Sequence, residues 1–347
     1  MIPLLLLVFL MVCLFVFIEE YLGRSKWICF TSVALMLILI AAFRVIGNDD
    51  DSESYLDMFE GYENEIISTL TEPSFTWIAS AIHSIGGDIR LLFLVYAVIA
   101  IPLKFVAIRQ LSEYLFIPVM VYVSHFFILH DMIEIRASAA VAFFMLSIKP
   151  LCEGHKKKAA LLILLAVFFH YSALVLLVML LFSNKPLSST WKWCLSLIVP
   201  FGYVIYFLHV DLLTTIPLPI IGQKLEVYKE LKEMGGFEEI FVFKNPTLLI
   251  KMICFYLLIW YGEGVRKHIP YMPLLTKLMG MSLGCFFLFS SLPVLSGRLY
   301  ELFGAIDIIT IASLVYIFKP AYAGKIILMT FSVIMIFMDI FVYELIR

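Results

Sequence analysis

This sequence predicts an all-α bundle of membrane-spanning helices, and three observations carry that expectation. Of its 347 residues, 63% are hydrophobic and 15% charged, and the mean hydropathy is +1.01. A soluble domain needs a polar shell that this composition cannot supply. Apolar runs of span length recur along the whole chain, and a bilayer offers no water to unpaired backbone groups, so each run must be helical. A net charge of −2 gives no basic face, which excludes nucleic acid as a partner. The run Lys156, Lys157, Lys158 reads as an anchor at the cytoplasmic surface.

The first run, 2–18, has no basic residues before it and no small-residue cleavage motif, and Glu19 and Glu20 follow it, so it reads as a retained span. The second, 27–43, is uncharged and closes on Arg44. Spans follow at 91–108, 114–130 and 133–149, with Asp131 between the last two and Glu134 and Arg136 at the start of the third. Two shorter runs, 156–169 and 171–184, meet at His170. Runs at 191–209, 247–262, 272–290, 299–318 and 325–343 bring the expectation to about eleven or twelve spans in a single membrane domain, 1–347. The polar stretches 44–90 and 210–245 are long enough to form structure of their own and are expected as extracytoplasmic loops. The second has a Pro-rich turn at 216–220 and a charged segment at 224–239, which suggests a short interfacial helix and a mobile loop.

Sidedness follows from the short loops. Arg24, Lys26, Lys104, Arg109, Lys149, Lys156–Lys158, Lys185, Lys192, Arg266, Lys267, Lys319 and Lys325 fall on one side if the N-terminus is outside and 156–184 is a hairpin with His170 at its tip. A single crossing there would put Arg266 and Lys267 outside. Each hairpin arm has about 14 residues, or ~21 Å, less than a full hydrocarbon core. In this orientation Arg44 with Asp49, Asp50 and Asp51, the Asp131–Arg136 group, His170, and Arg298 with Glu301 all reach the extracytoplasmic face. The site is therefore expected to face outward.

Each polar group has a bland reading beside a functional one. Arg44 with its acids is either a snorkelling arginine and a solvated loop, or a site in which the guanidinium meets a phosphate oxygen and a carboxylate serves as base. Glu134 and Arg136 are too close to share a helix face as a surface pair, and an arginine so near the hydrocarbon usually faces the bundle or a water-filled cavity. His170, in FFHYSAL, is either a hydrogen-bonded core histidine or a proton acceptor near the aqueous face. Arg298, beside Gly297 and close to Tyr300 and Glu301, has the look of a built pocket in which glycine permits close backbone approach. Asp307 and Asp339 lie within later spans and are expected to bond neighbouring helices. His125, His130 and Asp131 lack the i,i+4 spacing of a helical zinc motif, and the six scattered cysteines contain no CxxC pair, so neither a metal nor a disulfide framework is expected. Guanidinium groups and an imidazole at one face, without metal ligands, suit a lipid diphosphate whose leaving-group charge must be neutralised.

At these residues the chain resembles the EpsG/Wzy family of integral membrane polysaccharide polymerases. The blocks that carry the resemblance occur in order: Arg44, Gly47 and Asp49; Tyr55 to Phe59 (YLDMF); Glu72, Pro73 and Phe75; Gly86, Gly87 and Asp88; Ile135 to Ala140 (IRASAA); His170 to Leu174 (HYSAL); and Gly297 to Tyr300 (GRLY). Counting from Gly47 selects Asp49, whereas a tyrosine four residues after the acid selects Asp51, so the acidic run holds two candidates.

The resemblance implies a GT-C-like helical bundle and a glycosyltransferase without cofactor or metal, in a bacterial inner membrane with its site facing outward. Such an enzyme moves a growing glycan from undecaprenyl diphosphate onto a sugar hydroxyl of a second lipid-linked repeat unit. Donor and acceptor are then both undecaprenyl-diphosphate-linked oligosaccharides, with membrane lipid and a chain-length regulator protein as further partners. The roles expected are Arg136, Arg298 and Tyr300 on the donor diphosphate, Asp49, Asp51 or His170 as proton acceptor, and Arg44, Tyr55 and Glu72 on the acceptor side. Asp131, Glu134 and Glu301 are secondary candidates. A flippase for the same lipid and an O-antigen ligase are the alternatives. The absence of an internal repeat and the one-sided polar distribution weigh against a transporter.

Overall fold

A computed structural model describes residues 1–49, 51–61, 71–208 and 246–347. The chain is 81% helical with no strands among the described residues, as the composition predicts. Among the described residues, seven helices are long and apolar enough to cross a membrane: Ile2–Tyr21, Ser25–Ala42, Ile89–Leu111, Phe116–Ile133, Ile135–Cys152, Thr247–Val265 and Ala321–Val342. The bent pair Pro293–Gly304 and Asp307–Tyr316 makes an eighth if counted as one span. Of the other runs expected as spans, 191–209 forms the 19-residue helix Ser189–Phe207, whereas 156–169, 171–184 and 272–290 form helices of 14, 11 and 17 residues. The 210–245 stretch lies outside the described residues.

Two compact units divide the chain, one of residues 1–181 and 311–347, the other of residues 182–310. The first holds α1 (Ile2–Ile18), α2 (Ser25–Ala42), α3 (Ser52–Glu60), α4 (Pro73–Ser84) and α5 (Ile89–Leu111). After these come α6 (Phe116–Val121), which continues as a π-helix over Tyr122–Ile133, then α7 (Ile135–Cys152) and α8 (Lys156–Phe169). A 3-10 helix follows at Tyr171–Leu181. The expected 44–90 loop is thus partly helical. Local chemistry sets several starts. Pro73 opens α4 behind an extended Glu72, where its missing N–H costs nothing. Asp88 caps α5 by accepting from the amides of Arg90 and Leu91 at 3.1 and 3.3 Å. Glu19, from the end of α1, accepts from Leu115 and Phe116 amides at 2.8 and 3.2 Å, so a distant carboxylate caps α6.

The segment around His170 folds back on itself. α8 ends at Phe169, His170 is extended, and Lys156 Nζ at the start of α8 donates to the Leu180 carbonyl at the far end of the 3-10 helix, at 3.0 Å. The hairpin expected from charge distribution is therefore formed, with His170 at its tip. Its arms match in length for a geometric reason. Fourteen α-helical residues rise ~21 Å, and eleven residues in the more stretched 3-10 form rise ~22 Å.

Lys104 corrects the loop assignment made from sequence. It lies inside α5 with no exposure, and its Nζ meets Asp131 Oδ2 at 2.6 Å and Ser138 Oγ at 2.8 Å. Tyr122 donates to Asp131 Oδ2 at 2.7 Å and Ser138 to Asp131 Oδ1 at 2.6 Å, so both carboxylate oxygens are occupied. Buried charge survives here because it is paired and hydrogen-bonded on every side.

The second unit contains α9 (Ser189–Phe207), α10 (Pro246–Val265), α11 (Met272–Leu288) and α12 (Pro293–Gly304). α13 (Asp307–Ala312) begins in it. Lys251 of α10 pairs with Asp307 at 2.7 Å, donates to Ser282 at 2.6 Å and lies 4.0 Å over the Tyr300 ring. The last helix of the first unit, α14 (Ala321–Phe337), continues as a π-turn over Met338–Val342. There Asp339 meets His125 Nδ1 at 2.7 Å. Asp307 and Asp339 thus each bond another helix, as their place within apolar runs led one to expect.

Candidate functional site

Arg44 stands two residues beyond the last turn of α2 and is almost wholly buried. Its guanidinium lies 3.6 Å over the Phe93 ring, Nη1 donates to the Asp131 carbonyl at 3.2 Å, and Nε faces Asp49 Oδ2 at 3.6 Å. Burial pushes this guanidinium down to about 10, and the Asp49 charge opposes that. Asp49 also caps α3, because its Oδ1 accepts from the amides of Asp51 and Ser52 at 3.2 and 2.8 Å. Gly47 makes the turn possible. Its φ is +83°, its amide donates to Ser52 Oγ at 2.9 Å, and a Cβ there would come within 2.8 Å of Glu53 Oε1. Asp51 occupies the N-cap position of α3, where its carbonyl accepts from Tyr55. Of the two acids that the sequence left open, Asp49 faces Arg44 at 3.6 Å, and the Asp51 charge also acts on the guanidinium.

Glu72, Arg136 and His170 come together from three distant segments. Glu72 sits at the extended residue before α4, Arg136 in the first turn of α7, and His170 at the hairpin tip. Glu72 Oε2 accepts from Arg136 Nη1 at 2.5 Å, and its Oε1 lies 3.0 Å from His170 Nδ1. The Tyr171 amide reaches the same Oε1 at 3.4 Å. Burial works to raise the Glu72 carboxyl, but the His170 hydrogen bond and the Arg136 charge outweigh it and hold the group down at about 2. The carboxylate is nearly enclosed, at 5% side-chain exposure, whereas Arg136 keeps 23% and His170 16%. One buried anion therefore holds a cation and an imidazole that both still reach the outside.

Tyr55 and Phe75 wall this group, their rings 5.5 and 5.8 Å from the Arg136 guanidinium. Burial pushes the Tyr55 hydroxyl up, so it stays a neutral donor. Glu134 is the joint between the π-helix and α7, with φ −93° and ψ 60°. Asp131 is engaged with Lys104, Tyr122 and Ser138, which makes it a buried anchor for the joint that precedes Arg136.

Arg298, Tyr300 and Glu301 belong to the second unit. Arg298 is exposed on α12, while Tyr300 lies under Lys251, and Ser282 donates to its carbonyl at 2.6 Å. Gly297 corrects the close-approach reading: a Cβ there would meet open space. Sequence reasoning missed Lys104, Tyr122 and Ser138, and also Lys251 and Ser282. The signal that could have found them was a lysine inside an apolar helix, which needs an acid nearby. Among the described residues, no group of three or more His, Cys, Asp or Glu side chains is gathered so as to hold a metal ion.

No curated protein and no solved structure matches the chain. A family model, described as the EpsG family, matches residues 27–346. That range covers most of both units and every residue of the two clusters around Arg44 and Glu72, and on it this multi-pass membrane protein belongs to the EpsG family.

Proposed function

We propose that this protein is a polysaccharide repeat-unit polymerase, a glycosyltransferase that moves a growing glycan from undecaprenyl diphosphate onto a sugar hydroxyl of a second lipid-linked repeat unit. The reaction takes place at the extracytoplasmic face of the cell membrane. Family membership supports the reaction class, and the joint hold of Glu72 on Arg136 and His170 supports the chemistry.

In this reading Glu72 accepts the Nδ1 proton of His170, which leaves Nε2 free to take the proton of the acceptor hydroxyl. The hydroxyl oxygen then bonds the anomeric carbon as the bond from that carbon to the diphosphate oxygen breaks. Undecaprenyl diphosphate departs with the electron pair, and Arg136 stabilises the charge it acquires. Arg44 and Asp49 act as positioning residues: they fix the start of α3 and with it Tyr55, which faces Arg136. Arg298 is a separate donor-side candidate with its own test.

The test is complementation of a strain lacking the gene, with surface glycan separated by size. Wild type should restore a ladder. Arg136→Ala and Arg298→Ala, at matched protein level, should leave a single repeat unit on the lipid acceptor. Full ladders from both variants refute this assignment. Free polymer accumulating on the carrier would indicate a ligase, and loss of all surface glycan a flippase.

A further inference from the structure

The segment after α14 returns to the Arg44 element. Leu345 N–H donates to the Asp339 carbonyl at 2.9 Å, which turns the chain after the π-turn, and Glu344 takes the left-handed conformation (φ 49°) that such a turn requires. Ile346 is then 1% exposed and forms an antiparallel bridge with Asp49. The Arg347 N–H donates to the Asn48 carbonyl at 2.7 Å. Asn48 and Asp49 belong to the turn that puts Asp49 against Arg44 and caps α3. Asp49 and Ile346 are 297 residues apart (346 − 49), so the contact is tertiary and carries no local role. His125 and Asp339, paired at 2.7 Å, fix the root of the returning segment.

We infer that Ile346 and Arg347 are positioning residues, a backbone strap that holds the Asn48–Asp49 turn in register and so sets where Arg44 and Tyr55 stand. The Arg347 side chain takes no part in this. Its guanidinium is largely exposed and pairs with Glu344 at 3.7 Å, a surface contact of little weight. The backbone N–H does the holding, which separates the two variants cleanly. Arg347→Pro removes that N–H, and Ile346 before it is already in the bridged, extended form that a following proline favours. Arg347→Ala removes the side chain and keeps the N–H.

The consequence for polymer formation rests on the polymerase reading, so the experiment has two arms on the full chain. The first is hydrogen exchange of the purified protein in detergent. Arg347→Pro should speed exchange about five- to tenfold in the 47–55 segment, leave α5 and α7 unchanged, and leave Arg347→Ala like wild type. The second is glycan length in the complemented strain, which should shorten for Arg347→Pro and not for Arg347→Ala. Equal exchange in the two variants, or a rise spread over the whole chain, overturns the strap. Faster local exchange with an undiminished ladder overturns its role in the reaction. A wild-type chain that restores no polymer defeats the polymerase reading alone, since the exchange arm still decides the strap. If Arg347→Pro does not accumulate, Ile346→Ala, which keeps both amides and loosens the buried anchor, is read in its place with the same outcomes.

Discussion

Replacing Glu72 by glutamine tests the site with least disturbance, because glutamine keeps the shape and one carbonyl acceptor but loses the charge shared by Arg136 and His170. The size of the effect follows from how firmly the carboxylate is held. A carboxyl at about 2 instead of 4.5 has its charged form favoured by ~3 kcal/mol in the folded protein. Because the folded value lies below the unfolded one, this stabilisation is present above pH 4.5 and fades as pH falls toward 2. Glutamine has none of it, so wild type should exceed E72Q by ~3 kcal/mol at neutral pH, with the gap closing in acid. Thermal unfolding of purified protein at a fixed scan rate should show E72Q melting several degrees lower at pH 7, with the gap about half as wide at pH 3 and closing toward pH 2. With the imidazole no longer held and Arg136 without its partner, polymer yield should fall on the order of a hundredfold. A melting gap that is the same at both pH values would refute the electrostatic account. A wild-type ladder from E72Q would refute the catalytic one.

Three further outcomes follow from the same structure. Arg136→Lys should recover only part of what Arg136→Ala loses, because an ammonium cannot hold Glu72 and a phosphate oxygen with one planar fork; ladders at matched expression compare the two. Lys104→Met should destabilise by ~3 kcal/mol or more, since it leaves Asp131 charged and buried, whereas Lys104→Met with Asp131→Leu should regain much of the loss, and melting of the two variants decides it. Gly47→Ala should cost ~1–2 kcal/mol through its positive φ and the Glu53 contact, lowering the melting temperature and polymer yield together; an unchanged protein would show that the turn has room to adjust.

Features written in local order were legible in the sequence, and features that depend on three-dimensional pairing were not. The hairpin is a case of the first kind. A histidine between two short apolar arms, with three lysines ahead of it, predicted both the break at His170 and the return of the chain. Glu72 belongs to the second kind. It could be named from its block, but its partners lie 64 and 98 residues away, and no periodicity links a residue before a short helix to a hairpin tip. The choice between Asp49 and Asp51 was open because counting in sequence cannot tell how two neighbouring acids are disposed about Arg44. Lys104 was misread for a plainer reason. Loop charge is assumed by default in placing lysines, and the acid that neutralises this one is 27 residues away, in the short break between two other spans.

The matched arms of the hairpin bear on the bilayer itself. At ~21–22 Å they fall several ångströms short of a ~30 Å hydrocarbon core. Lipid packed against this hairpin has to thin or dip to meet the polar tip, as it does around any span shorter than its surroundings. With the outward orientation that the polymerase reading requires, His170 would stand at the floor of a depression in the outer leaflet. A carrier lipid entering that depression would bring its diphosphate below the usual headgroup plane, down to the level of the imidazole. Membrane thickness thereby becomes a variable of the reaction: the same protein reconstituted in shorter-chain phospholipid should meet its substrate with less distortion than in longer-chain phospholipid.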